Sequence, residues 1–186
     1  MVSIRSVMLL CSALFMTVAF GETNRSFSLT ISPFHLSFPI YEFTGEYALS
    51  QKFGIAGIGG YGSMKMNGYE GNVPTKKDIP ILELGSQAAY YLLGNFKTGM
   101  QVGAEILWLK IFIPKSENVS VTANGLAIGP LIGYKWTASF GLTLFAQGGY
   151  EFLLAQAKGT NSNGQEIESS SKIGIALVNL NAGWSF

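Results

Sequence analysis

Apolar and polar residues alternate with a period of two along most of the chain, up to its closing segment 172–186. From Gly174 onward every second residue is apolar, ending in Trp184 and Phe186, whereas Asn179 and Asn181 stand on the other face. A period of two predicts a β-strand whose two faces meet different surroundings. An apolar face that ends on a large aromatic is typical of a transmembrane β-barrel, whose outer face contacts lipid and whose inner face lines a polar lumen.

The alternation predicts eight antiparallel strands that follow one another up and down around a closed barrel. It is clearest in the second strand, where Tyr41, Phe43 and Tyr47 face one way and Glu42 and Glu46 face the other. Strands of about ten residues can cross a bilayer when tilted. The predicted strands are 26–34, 40–49, 52–65, 79–93, 98–113, 125–137, 142–157 and 172–186.

Short and long connections alternate along the predicted strands. Turns near Ser50, Gly94 and Ser139 are short, and the connections between them are long and polar. Membrane barrels have short periplasmic turns and long outer loops, so this order predicts both termini on the periplasmic side. Pro130 cannot donate a ladder hydrogen bond, which predicts a bulge or a break in the sixth strand. The predicted outer loops are 66–78, 114–124 and 158–171.

The inward positions predict a polar network inside the barrel. An eight-stranded barrel is only wide enough for its own side chains to fill, so the network should plug the lumen, and a small-solute pore is the alternative. Five carboxylates face one lysine, so either some glutamates carry protons, or water enters, or Lys52, Lys97 or Lys110 reaches in. The predicted lumen residues are Glu42, Glu46, Glu83, Gln87, Gln101, Glu105, Lys135, Gln147, Glu151, Asn179 and Asn181.

Aromatic residues near the strand ends predict two girdles at the membrane interfaces, which amphipathic rings favour. Tyr47, Trp136, Trp184 and Phe186 fall at the rim that carries the short turns, and Trp108 and Tyr61 lie nearer the opposite rim.

Composition agrees with one exported barrel domain. Hydrophobic residues make up 48% of the 186 residues and charged residues only 12%. Residues 1–21 resemble a secretory signal peptide, with Arg5 before an apolar run and small residues Ala19 and Gly21 at the cleavage positions. The barrel domain is then 22–186, without cysteine because Cys11 lies in the signal peptide. Its charge is near neutral, which excludes the basic surface that nucleic acid requires.

Candidate chemistry is sparse, and no catalytic residue, metal ligand or cofactor is predicted. His35 is the only histidine, and His35 and Ser37 share a strand face on which Glu42 or Glu46 could orient the ring. The pair resembles the H-x-S motif of outer-membrane lipid A deacylases, so a lipid-modifying hydrolase is an alternative function. The G-x-G-x-x-G run at 57–62 lacks a following helix and predicts close strand packing. A soluble periplasmic barrel is a further alternative, but it requires apolar residues inside.

Together, the signal peptide, the alternating strands, the glycine-rich run and the terminal Trp184-Ser185-Phe186 resemble the small outer-membrane β-barrels of the OmpA, OmpX, OmpW and opacity group. The resemblance implies an integral outer-membrane protein without enzymatic activity, in contact with membrane lipid. It implies that outer-membrane assembly machinery reads the C-terminal strand and Phe186. It also implies a structural role, or one in binding host or extracellular ligands through the outer loops.

Overall fold

A computed structural model describes residues 25–32, 40–70, 73–112, 120–160 and 166–186. Within them the chain forms eight antiparallel strands that pair in chain order, and β1 also pairs with β8, so the sheet closes into a barrel. The predicted eight-stranded up-and-down barrel is confirmed. The strands are β1 (Phe27–Ser32), β2 (Ile40–Ala48), β3 (Phe53–Glu70), β4 (Val73–Gly94), β5 (Gly99–Phe112), β6 (Ser120–Thr137), β7 (Leu142–Thr160) and β8 (Glu166–Ser185).

The two ends of the barrel differ. One end, called the turn end below, carries the short connections 49–52, 95–98 and 138–141 and both ends of the described chain. Gly94 and Gly141 have φ angles of 74° and 119° there, a backbone region that residues with a Cβ rarely adopt. The opposite end, called the far end, carries the β3–β4 and β7–β8 hairpins. No helix among the described residues is long and apolar enough to cross a membrane.

The outer loops are shorter in the structure than the sequence predicts. β3 continues to Glu70 and β4 begins at Val73, so most of 66–78 is a paired hairpin. β6 begins at Ser120 rather than after residue 124, and β7 and β8 pair out to Thr160 opposite Glu166. Backbone pairing does not need an apolar face, so these polar segments extend the ladder without the alternation that marks a membrane strand. The predicted signal peptide 1–21 and the His35/Ser37 pair lie outside the described residues.

Pro130 interrupts one ladder without bending the strand out of register. It stays opposite Ala104 of β5 in an unbroken run of pairs. The ladder with β7 lacks pairs at Gly129 and Pro130 and resumes in the same register, because proline has no N–H to donate. The predicted bulge or break is therefore a break on one side only. A register shift lies elsewhere, between Tyr91 and Leu93 in the β4–β5 ladder.

The barrel closes where the N-terminal and C-terminal strands meet at the turn end. The carbonyl of Phe186 accepts hydrogen bonds from the N–H groups of Ser26, at 2.9 Å, and Phe27, at 3.3 Å. The rings of Phe27 and Phe186 stack with centroids 6.3 Å apart. Arg25 Nη1 donates to the carbonyl of Ala138 at 2.7 Å, which ties the seam to the β6–β7 turn. The last residue of the chain is thus part of the closure.

Candidate functional site in the barrel lumen and on its wall

The lumen contains all eleven polar side chains that the alternation placed inward, and none is more than 6% exposed. They come from six of the strands, since β2, β4, β5, β6, β7 and β8 each point one parity of residues toward the axis. One group is hydrogen-bonded at the turn end around Glu46, and a second group of carboxylates and amides lies in the middle of the barrel.

At the turn end the lumen contains a buried ion pair. Lys135 Nζ lies 2.7 Å from Glu46 Oε2 and donates a second hydrogen bond to Ser28 Oγ at 3.0 Å. Tyr91 donates its hydroxyl to Glu46 Oε1 at 2.8 Å. The Lys135 ammonium also lies 3.6 Å from the centroid of the Phe96 ring. Each charge therefore has the close partners that a buried ion pair requires.

Ser28, Tyr91 and Phe96 belong to this group but were not predicted as lumen residues. The parity of the sequence could have identified Tyr91, because it shares the inward face of β4 with Glu83 and Gln87. Phe96 lies in the turn 95–98, where alternation carries no information. Its N–H donates to the carbonyl of Gln51 at 3.0 Å, so the ring folds under the barrel from the neighbouring turn.

In the middle of the lumen, carboxylates gather without a lysine. Asn179 Nδ2 donates to Glu42 Oε1 at 2.8 Å, and Thr44 Oγ1 donates to the same oxygen at 3.0 Å. Among the residues that the structure describes, Glu83, Glu105 and Glu151 each have one buried oxygen without a hydrogen-bond partner.

None of the three lysines that could have balanced these carboxylates reaches them. Lys52 Nζ donates to the carbonyl of Gly94 at 2.7 Å, outside the lumen. Lys110 Nζ lies 5.3 Å from the centroid of the Phe112 ring on the outer wall. Lys97 is exposed in a turn. Within the described ranges, no three histidine, cysteine, aspartate or glutamate side chains are placed to hold a metal ion together.

Apolar side chains are also buried in the lumen, toward the far end, and the sequence did not predict them. One buried cluster joins Ile40, Ile81 and Leu109, and a second joins Ile58, Leu107 and Ala127. Leu153 packs against both clusters. Sequence alternation missed them because both faces of β5 are apolar in this part, so neither parity is marked as inward.

The outer wall of the barrel is apolar. Large apolar side chains are exposed around the barrel, for example Tyr41 at 58% and Phe43 at 55% on β2, while Glu42 between them is 2% exposed. This arrangement contradicts a soluble barrel with an apolar interior, because apolar surface of this extent would face water. An apolar wall around an interior with polar layers is what a lipid solvent requires.

The predicted girdle residues lie on this wall. Tyr47, Tyr61, Trp108 and Trp136 are exposed, and Trp184 and Phe186 are half-buried. Trp184 packs against Phe140 of the adjoining turn, with ring centroids 5.7 Å apart. Tyr47, Trp136, Trp184 and Phe186 stand at the turn end, and Tyr61 and Trp108 stand further along β3 and β5.

Comparison with solved structures agrees with this geometry. The chain is similar to the outer membrane protein OprG from Pseudomonas aeruginosa, with a TM-score of 0.62 and 13% identity over 87% of this chain and 93% of that one. It is also similar to a major outer membrane protein from Thermus thermophilus, with a TM-score of 0.56 and 12% identity over 88% of this chain and 100% of that one. The fold is that of an eight-stranded outer-membrane barrel. No family model and no curated protein matches the chain.

Proposed function

We propose that the chain is an integral outer-membrane β-barrel that spans the membrane as a closed wall and has no enzymatic activity. The observation that supports the proposal is the burial of side chains at successive levels of the lumen. The Lys135–Glu46 pair lies at the turn end, carboxylates and amides lie in the middle, and apolar clusters lie toward the far end. An eight-stranded barrel is only wide enough for its own side chains, and a lumen plugged by them would leave no continuous water path, which favours a structural or surface role over solute transport.

Conductance separates the plugged barrel from the small-solute pore. The full mature chain, folded and purified in detergent, is added to a planar lipid bilayer, and a known porin in the same detergent serves as the positive control. The plugged barrel gives no stable single-channel steps. Regular steps of one size, present with this protein and absent with detergent alone, would contradict the proposal.

The far-end hairpins are the segments through which we propose that the protein contacts host or extracellular ligands. β4 has 22 residues and β8 has 20, whereas about 9–11 residues cross a bilayer, so both strands extend beyond the membrane. The matching strands β3 and β7 pair with them over their whole length. The projecting hairpins are therefore ordered ladders, which offer exposed side chains in a fixed arrangement.

Labelling of intact cells tests this orientation. A cysteine introduced at Lys76 or Glu168 should react with a membrane-impermeant maleimide, and one at Ser50 should not. Both far-end positions are exposed, and Ser50 lies in a turn at the other end. Labelling at Ser50 together with protection of Lys76 would reverse the proposed topology.

We also propose that the C-terminal strand is the segment that outer-membrane assembly machinery reads after export through the periplasm. Phe186 is half-buried at the seam and stacks on Phe27. Phe186→Ala keeps the backbone hydrogen bonds of the seam, so it removes only the aromatic ring. We expect this variant to lower the far-end labelling on cells while the purified chain still folds in detergent. Normal labelling on cells would contradict the role of Phe186.

A further inference from the structure

One sector of the outer wall, on β5, β6 and β7, carries two adjoining rows of different chemistry. The first row is apolar: Trp108 lies opposite Leu126, and Leu126 lies opposite Leu154. The second row lies two residues further from the turn end and is polar: Lys110 lies opposite Asn124, and Asn124 lies opposite Gln156. We call these six residues the rim patch. The apolar row continues the lipid-facing band, and the polar row lies beside it, with Phe112 exposed beyond Lys110 on β5.

The rim patch contains a depression rather than a flat surface. Five of its residues line a cavity of about 370 Å³ together with Gly125, namely Trp108, Asn124, Leu126, Leu154 and Gln156. Trp108, Leu126 and Leu154 are 38–42% exposed, and the two amide side chains are exposed beside them. A ligand in this cavity therefore meets an aromatic ring and two leucines on one side and two amides on the other.

Two lysines flank the cavity. Lys110 follows Trp108 on the outer face of β5, and Lys172 of β8 lies opposite Leu154. Neither has a carboxylate partner within the described residues, whereas Lys158, further from the turn end, is paired with Glu168 at 3.3 Å. The Lys110 ammonium is held near the Phe112 ring, and Lys172 is exposed. The patch is thus positively charged at the edge of the apolar band.

The other side of the barrel has different residues where its apolar band ends. On β4 the outward positions beyond Leu84 are Leu82, Pro80 and Asp78, and the exposed Lys76 follows. Asp78 lies opposite Lys65 in the ladder, so a lysine and an acidic residue are paired in register there. On β5–β8, Lys110 and Lys172 lie opposite Asn124 and Leu154 instead, beside the depression.

We propose that the rim patch binds a glycolipid of the outer leaflet through a phosphorylated sugar headgroup. This inference rests on the proposed membrane orientation, which places the far end outside. The acyl chains would lie along Leu126 and Leu154, and the Trp108 ring at the interface would face the sugar. The amides of Asn124 and Gln156 would bond sugar hydroxyls, and Lys110 and Lys172 would bind phosphate oxygens. A phospholipid offers the phosphate and the chains but no sugar ring for the amides.

Native mass spectrometry of the full mature chain in micelles tests the proposal, with bisphosphorylated lipid A as the probe. A lysine near an anionic lipid surface contributes about a fivefold gain in affinity, so Lys110→Gln/Lys172→Gln should weaken binding by about 25-fold. The matched control is Lys52→Gln/Lys97→Gln, which removes two lysines at the turn end and should leave binding unchanged. Equal weakening by both double variants, or by neither, would overturn the site.

Two lipid controls test the headgroup chemistry. Lipid A without phosphates should bind as weakly to the wild type as bisphosphorylated lipid A binds to the double lysine variant. Asn124→Ala/Gln156→Ala should weaken lipid A binding but leave phosphatidylglycerol binding unchanged, because only the sugar meets the amides. Equal affinity of the wild type for lipid A and phosphatidylglycerol would overturn the glycolipid assignment.

Folding of each variant is checked by its heat-modifiable mobility. Cell-surface labelling tests the orientation separately, so failure of the site and failure of the proposed membrane role are distinguishable.

Discussion

The two ends of the lumen contain buried side chains of different chemistry. At the turn end, Lys135 and Glu46 form a buried ion pair in which Ser28 and Tyr91 supply further hydrogen bonds. Toward the far end, the buried side chains are apolar, and Leu107 is 1% exposed within its cluster. Ion pairing depends on both partners, and apolar packing depends on volume. A single substitution should therefore act by a different mechanism at each end.

Between the two ends lies a region with neither kind of support. Glu83, Glu105 and Glu151 have no lysine beside them, and each keeps an oxygen without a hydrogen-bond partner. Buried polar groups of this kind lower stability rather than raise it. We therefore expect the two ends of the lumen to supply most of the free energy of unfolding and the middle region to contribute little. Substitutions in the three regions should then differ in size and in sign.

The largest effect is expected from Lys135→Met, which preserves bulk beside the Phe96 ring but removes the cation. Glu46 would remain buried and charged without its partner, so we expect a loss of about 3–5 kcal/mol in the free energy of unfolding. Urea unfolding of the barrel in lipid vesicles, followed by tryptophan fluorescence, measures it. Lys135→Met/Glu46→Gln should recover most of the loss, because no unpaired charge is left. A loss that the double variant does not recover would show that the lysine acts through packing.

A smaller effect is expected at the far end from Leu107→Ala. Removing a fully buried leucine leaves a cavity beside Ile58 and Ala127, with a loss of about 3 kcal/mol. The matched control is Ile106→Ala on the same strand, which faces the lipid and is 42% exposed. Lipid chains can fill that space, so the control should lose less. Equal losses at the two positions would contradict apolar packing in the lumen.

The strands and the inward polar residues could be predicted because apolar and polar residues alternate along each strand. Glu42 between Tyr41 and Phe43 identifies its own face without knowledge of any other strand. Alternation within one strand does not predict contacts between distant strands. Lys135 and Glu46 come together only because the barrel closes. The pattern also fails where both faces have the same character. Leu107 and Leu109 look like their lipid-facing neighbours, so the buried apolar clusters could not be predicted.

The smallest effect, and one of opposite sign, is expected in the middle region from Glu105→Gln. The amide keeps the shape of the side chain and adds N–H groups that can donate to the neighbouring carboxylates. It also removes a charge that no lysine balances. We expect the free energy of unfolding in vesicles to stay the same or to rise by up to about 1 kcal/mol. Glu46→Gln is the matched control and should lower stability, because Lys135 would lose its carboxylate. A loss of more than about 2 kcal/mol for Glu105→Gln would show that Glu105 is held by a charge partner and that the middle region does stabilise the barrel.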